Sequence, residues 1–291
     1  MEKTEKPQNV ASAAVTRLLA LPVEAVRQTL LGRIQVLNQE IVLPCFGRFS
    51  GENGVRKKPD KSLITDADTQ MQEALIESLQ ASWPSIPVLG EELPRKEQQA
   101  LLSSQDTAVW VLDPIDGTSN FAAGIPYFCT SLALIADGRV VMGMVYDPNR
   151  DECFFACENG PATLNNQLIQ SERDAPGVLA DCMGLIDFKR LSVTLSGALA
   201  AMPPYRSQRS FGASALDWCW IAAGRCHLYL HGKQMLWDYA AGQLILTRAG
   251  GLENRLEEIP PGNVTLDPRS VVASVSPNLQ QQWLQWVEAH R

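Results

Sequence analysis

The chain has 291 residues, 45% of them hydrophobic and 20% charged, with a formal net charge of -7 and a pI near 5.1. That is enough apolar material for a packed core and too much for a disordered chain, while the acidic balance offers no global positive field to nucleic acid or an anionic membrane. Seven cysteines without a C-x-x-C pair point to reduced thiols, and three histidines cannot build a histidine-rich metal centre. After the polar segment Met1 to Asn9, an apolar stretch is broken by Arg17, Pro22, Glu24 and Arg27. It is too short to span a membrane and lacks a signal-peptide layout, so a cytoplasmic protein is expected.

From Pro22 to about Cys45, apolar residues including Val26, Leu30, Ile34, Leu37 and Ile41 recur at helical spacing, with Pro22 suited to a first turn and Pro44 closing the segment. Phe46 to Lys61, rich in Gly and charge, reads as a hairpin or loop. Ala67, Met71, Ala74, Leu75 and Leu79 form one face of a second helix ended by Trp83-Pro84-Ser85. Ile86 to Leu89 is a short strand candidate running into Gly90-Glu91-Glu92. Ala108 to Leu112 is an apolar run that reads as a buried strand stopping at Asp113-Pro114-Ile115-Asp116-Gly117-Thr118. Phe128 to Ala136 and Arg139 to Tyr146 are strands joined at Asp137-Gly138, a strong hairpin signal, and Glu152 to Ala156 continues the meander.

Ser171 to Arg206 mixes short strands with a helix in no order the pattern dictates. Ala213 to Ala223 is a helix between Gly212 and Gly224, His227 to Leu230 a strand, and Tyr239 to Arg248 a helix capped at Gly250-Gly251. Hairpins interleaved with helices predict an α+β fold and not a parallel α/β sheet.

Three acidic positions follow short apolar runs: Glu91 after Val88-Leu89-Gly90, Asp113 and Asp116 after Val109 to Leu112, and Asp238 after Met235-Leu236-Trp237. A carboxylate at a strand end is held on rigid backbone yet open to a cleft, and hard divalent cations want such oxygens. Two ions a few ångströms apart can activate a water and stabilise a leaving oxygen. Taken singly, each position has a plainer reading. Asp-Gly is usually a turn, Glu91-Glu92 a solvated pair, and Asp238 a helix cap. A calcium loop is opposed by Pro114 and Ile115 at positions where ligands would alternate. No G-x-S-x-G elbow, P-loop or dinucleotide-binding glycine fingerprint is present.

Taken together, Lys61-Ser-Leu-Ile-Thr65-Asp66-Ala-Asp68, Gly90-Glu91-Glu92, Trp110-Val-Leu-Asp113-Pro-Ile-Asp116-Gly-Thr118-Ser-Asn120-Phe121, Trp237-Asp238-Tyr-Ala-Ala-Gly242 and Ala249-Gly-Gly251 resemble the inositol monophosphatase family, in order from about Leu30 to Gly251. The resemblance implies a layered α/β/α/β/α sandwich of the sugar-phosphatase type. Its N-terminal half (1–150) would hold most metal ligands, and its C-terminal half (151–291) would supply Asp238 and the alcohol pocket. It further implies a lithium-sensitive phosphomonoesterase using two or three Mg2+ ions, usually a homodimer.

Residue by residue, the resemblance places Glu91, Asp113 and the carbonyl of Ile115 on a first magnesium, and Asp113, Asp116 and Asp238 on a second, with a weaker third near Glu91. Thr118 and Glu91 would orient and deprotonate the attacking water, without a covalent phosphoenzyme. The amides of Gly117 and Thr118 would hold phosphate oxygens, which suits an anion at a helix start. Gly212-Ala213-Ser214 would face the substrate alcohol beside Asp116. An acidic residue seven positions before the last metal Asp is common in the family, yet His231 stands there. Because imidazole cannot reproduce a carboxylate that accepts two hydroxyls, inositol phosphate itself is in question. His231 would then favour an extra acceptor or a second negative group. The related alternatives are a nucleotide 3′-phosphatase, a sugar bisphosphatase with Arg206 and Arg209 at a second phosphate, or a mainly regulatory protein contacting RNA or a polymerase. The acidic charge opposes nucleic acid as the main partner, leaving a small phosphorylated substrate.

Overall fold

The computed structural model describes residues 22–48, 55–57, 63–103, 108–257 and 264–291. The polar start Met1 to Asn9 and its apolar continuation lie outside the described residues, as does much of the Phe46 to Lys61 segment. Helix α1 (Val23–Leu37) passes through a π-helical turn at Asn38–Val42 into a last turn at Leu43–Cys45. Strands β1 (Val55–Lys57) and β2 (Leu63–Thr65) pair antiparallel, β2 lying beyond the segment in which a hairpin or loop is expected. Helix α2 (Asp66–Ser82) starts at a capping box in which Thr65 and Asp68 bond reciprocally.

The chain then lays down β3 (Val88–Gly90), helix α3 (Arg95–Ser103), β4 (Val109–Asp116), the short helix α4 (Thr118–Ala123), β5 (Cys129–Ala136), β6 (Arg139–Asp147), β7 (Glu152–Cys157), β8 (Thr163–Leu164) and β9 (Gln167–Leu168). These seven strands form one sheet in chain order, antiparallel except for the parallel pair β3–β4. The Asp137-Gly138 turn has positive φ at both residues, 49° and 71°, as a two-residue hairpin requires.

A second sheet takes β10 (Met183–Asp187), β11 (Ser207–Arg209), β12 (Leu228–Gln234), β13 (Leu252–Asn254) and β14 (Arg269–Ser274) in the order β11-β10-β12-β14-β13. Between its strands run α5 (Val193–Ala201), α6 (Ser214–Ala222) and α7 (Leu236–Arg248), and α8 (Pro277–His290) follows β14. The segment from Ser171 to Arg206 thus resolves into β10 and α5. Helix α3 and the elements after Gly251 are not read from the sequence and emerge only here.

Alternation explains the layers. Along β4, Val109 and Val111 face one core with α6 and α7, while Trp110 and Leu112 face another with α1 and α2. Both faces of this sheet are therefore buried, and its strands read as continuous apolar runs. Helices α6 and α7 fill the space between the sheets, and α5 and α8 cover the outer face of the second sheet. The result is the five-layer α/β/α/β/α sandwich of an α+β fold. Among the described residues, no helix is long and apolar enough to cross a membrane.

Candidate active site

The strand reading of Ala108 to Leu112 stops too early. Strand β4 runs on to Asp116, and its register with β5 shifts between Asp113 and Asp116. This irregular stretch turns both carboxylates into the same cleft. It is held from behind: the Thr130 hydroxyl donates to the Pro114 carbonyl at 3.0 Å, and Asn38 donates to Thr130 at 3.2 Å. Gly117 then takes a left-handed conformation (φ 92°), which lets α4 begin at Thr118.

Glu91 reaches the site through strand pairing. The parallel register sets Gly90 opposite Leu112, and the Glu91 amide donates to the Leu112 carbonyl at 3.0 Å, so Glu91 and Asp113 leave the sheet side by side. Gln98 donates to the carbonyls of Gly90 and Glu91, and Gln72 accepts from the Glu92 amide. Neither glutamine carries a sequence signal for this role: Gln72 lies on a helix read by its apolar face, and Gln98 on α3, which the sequence pattern does not mark.

Asp238 does not end a strand. Leu236 and Trp237 are already helical, and Asp238 is the third residue of α7, its Oδ2 accepting from the Met235 amide at 2.8 Å. Ser131, the cross-strand partner of Asp113, donates to the Trp237 carbonyl at 3.2 Å. That bond ties the start of α7 to β5 and brings Asp238 beside Asp113.

The carboxylates of Asp113, Asp116 and Asp238 each offer an oxygen within 4.8 Å of the others. Burial pushes the Asp116 carboxyl up to about 7, against the bond it accepts from the Ala215 amide at 2.7 Å, with the charges of Asp217 and Glu91 adding to the rise. Asp238 is raised well above the ordinary range by burial and then by Asp116 and Glu91. Glu91 lines the same cleft outside this tight trio.

Thr118 stands over the cluster. Its hydroxyl lies 3.0 Å from both Asp68 Oδ1 and the Ile115 carbonyl, and so has two acceptors for one hydrogen. Asp68 is buried, which raises its carboxyl to about 6 against the bonds from Thr65 and Thr118. In the sequence Asp68 stands within the Lys61 to Asp68 motif with no signal of its contact to Thr118. Thr65 and Asp68 three residues apart signal a helix cap, which hides the second use of the carboxylate.

The cleft, of about 560 Å³, is lined by Glu91, Asp113, Ile115, Asp116, Gly117, Thr118, Gly212, Ser214, His231 and Asp238. Ala213 is the exception among the expected residues: it is fully buried, behind the backbone of Gly117. Arg206 and Arg209 are exposed and do not line the cleft, whereas Lys189, Arg190 and Lys233 do. His231 is buried and faces the cleft beside Asp187, with its Nε2 3.0 Å from Asp187 Oδ2. Burial raises the Asp187 carboxyl, but bonds from His231 and the Lys189 amide hold it below its ordinary value.

A model of the inositol monophosphatase family matches residues 26–291. The Nus factor SuhB of Pasteurella multocida is 34% identical over 199 residues, 67% of this chain and 72% of that protein. Inositol monophosphatase 1 of Solanum lycopersicum is 30% identical over 243 residues, 81% and 86% of the two chains. Among solved structures, the Thermotoga maritima IMPase superposes with a TM-score of 0.74 at 24% identity, covering 89% of this chain and 95% of its own. The chain belongs to the inositol monophosphatase family.

Proposed function

We propose that this protein is a magnesium-dependent phosphomonoesterase acting on a small phosphorylated alcohol. The observation that carries the reading is the trio Asp113, Asp116 and Asp238. Three carboxylates within 4.8 Å of one another, Asp113 and Asp116 buried and Asp238 partly so, suffer both desolvation and mutual repulsion. A hard divalent cation relieves both, and every donor present is a hard oxygen. Asp113, Asp116 and Asp238, with Glu91 and the Ile115 carbonyl at their side, would hold two or three Mg2+ ions. When bound, such ions neutralise the phosphate and the departing alkoxide and make a neighbouring water acidic.

The chain's own groups do the rest. Thr118 shares its hydrogen between Asp68 and the Ile115 carbonyl, so its lone pairs are available to orient a water for in-line attack. Asp68 acts through Thr118 as a positioning residue, and Glu91 is the base within the cleft. The amides of Gly117 and Thr118 receive phosphate oxygens at the start of α4. Gly212 and Ser214 face the alcohol. Lithium sensitivity, a homodimer and a cytoplasmic location belong to the same proposal. All seven cysteines are free, which suits a reducing compartment.

The name Nus factor, carried by a relative, supports a second reading in which a macromolecular partner matters more than turnover. One experiment separates them. Metal-stripped protein is assayed on inositol 1-phosphate, glycerol 2-phosphate, adenosine 3′,5′-bisphosphate and fructose 1,6-bisphosphate, before and after Mg2+ is added back. Turnover that returns with Mg2+ is expected, and no turnover on any of the four would favour the regulatory reading.

A further inference from the structure

The far end of the cleft is made by the second sheet. Strands β10 and β12 are parallel neighbours with Asp187 directly opposite His231, so the two side chains leave the same face of the sheet together. His231 Nδ1 accepts the Lys233 amide at 3.2 Å. A ring nitrogen that accepts carries no proton, so the hydrogen sits on Nε2 and is donated to Asp187 Oδ2 at 3.0 Å. Both nitrogens of the imidazole are thereby engaged within the protein, and neither remains for a substrate.

Asp187 is different. Its Oδ1 accepts the Lys189 amide at 2.9 Å and its Oδ2 accepts His231, which leaves acceptor capacity on a carboxylate with about four lone-pair positions. Its side chain is 26% exposed, against 8% for His231, and it lines the cleft. The pair is locked in place at Gly232, where a Cβ would stand 1.7 Å from the Arg190 carbonyl oxygen. Only glycine lets β12 approach the 3-10 turn Phe188–Arg190 that follows Asp187.

We infer that Asp187 is the specificity-determining residue of this site: it accepts hydroxyl hydrogens of the substrate's alcohol, and His231 is the positioning residue that aims it. The inference rests on the phosphatase reading above. The carboxylate missing at position 231 is supplied from the adjacent strand. Asp187 shares the cleft with the buried Asp217 and with the exposed Lys189, Arg190 and Lys233. The group it recognises is a free hydroxyl of the alcohol, to which an ionised carboxylate is an acceptor.

The test compares kcat/KM for inositol 1-phosphate with that for p-nitrophenyl phosphate, which has no alcohol hydroxyl. In Asp187→Ala the ratio of the two should fall by about tenfold to a hundredfold, the scale on which a site built for a hydroxyl discriminates. His231→Ala should lower the same ratio less, mainly through KM, and His231→Gln, whose amide can still donate to Asp187, should recover it. A folded Asp187→Ala protein with an unchanged ratio, or with equal losses on both esters, overturns the inference alone. A wild-type protein that hydrolyses neither monoester in Mg2+ overturns the phosphatase reading, and the inference with it.

Discussion

At the acidic end of the cleft, Asp113 and Asp116 come from one short segment and Asp238 from the start of α7, and each carboxylate accepts from backbone: the Ile115 amide on Asp113 at 3.1 Å, the Ala215 amide on Asp116 and the Met235 amide on Asp238. At the opposite end, Asp187 and His231 come from distant segments and are fixed chiefly by each other and by strand register. At the acidic end the Asp116 and Asp238 carboxyls are raised by burial and by their neighbours. At the far end the Asp187 carboxylate is held below its usual range. A site that must hold cations keeps its charges close and costly until an ion arrives. A site that must recognise a neutral alcohol keeps an acceptor ionised and accessible. The division lets the chemistry stay constant while the alcohol end is free to vary.

The sharpest way to break this contrast is at the acidic end. Asp113→Asn preserves shape but removes a charge from the trio, and turnover on any accepted monoester should fall by at least about a hundredfold. Steady-state kinetics with Mg2+ would measure it, and unimpaired turnover in a folded variant would remove the metal assignment.

Next in size is the Asp68–Thr118 pair, bonded at 3.0 Å. Asp68→Asn and Thr118→Val should each lower kcat by about tenfold to a hundredfold, with KM moving little. The double variant should lose hardly more than the worse single one, because the two act as a unit. Fully additive losses in that cycle would show that Asp68 serves only as the helix cap of α2.

At the far end, Gly232→Ala forces β12 away from Arg190 and should cost about 2 kcal/mol of stability, read from the urea midpoint. If the variant remains folded, its preference for inositol 1-phosphate over p-nitrophenyl phosphate should weaken while its Mg2+ requirement persists. A lost Mg2+ requirement would mean the two ends are not separable.

The smallest expected effect concerns Asp217, whose carboxyl is raised from 3.8 to about 8, first by burial, against the bond it accepts from Tyr127 at 2.8 Å. A carboxyl raised in the folded state contributes stability that is fully present below its unfolded value and is lost as pH rises through the folded one. Metal-free protein should therefore lose stability between about pH 4 and 8. Asp217→Asn should flatten that slope, and thermal melts across the range would show it. An identical slope in the variant would assign the effect to Asp116 and Asp68 instead.

The amino-acid sequence alone determined the acidic end, because its residues are packed into contiguous strings whose spacing is the chemistry: Gly90-Glu91, Asp113 to Thr118 and Trp237-Asp238. It also determined the main helices and the β5–β6 hairpin, since apolar period and turn residues are local properties. What remained hidden had non-local causes. The continuation of β4 to Asp116 depends on pairing with β5, and the helical start of α7 before Asp238 on its cap and on Ser131. Gln72 accepts the Glu92 amide, Gln98 donates back to the Gly90 and Glu91 carbonyls, and Asn38 donates across the fold to the Thr130 hydroxyl. The carboxylate expected at position 231 is absent from the sequence string, but tertiary structure sets Asp187 beside His231, because a parallel register brings together residues that no local pattern relates.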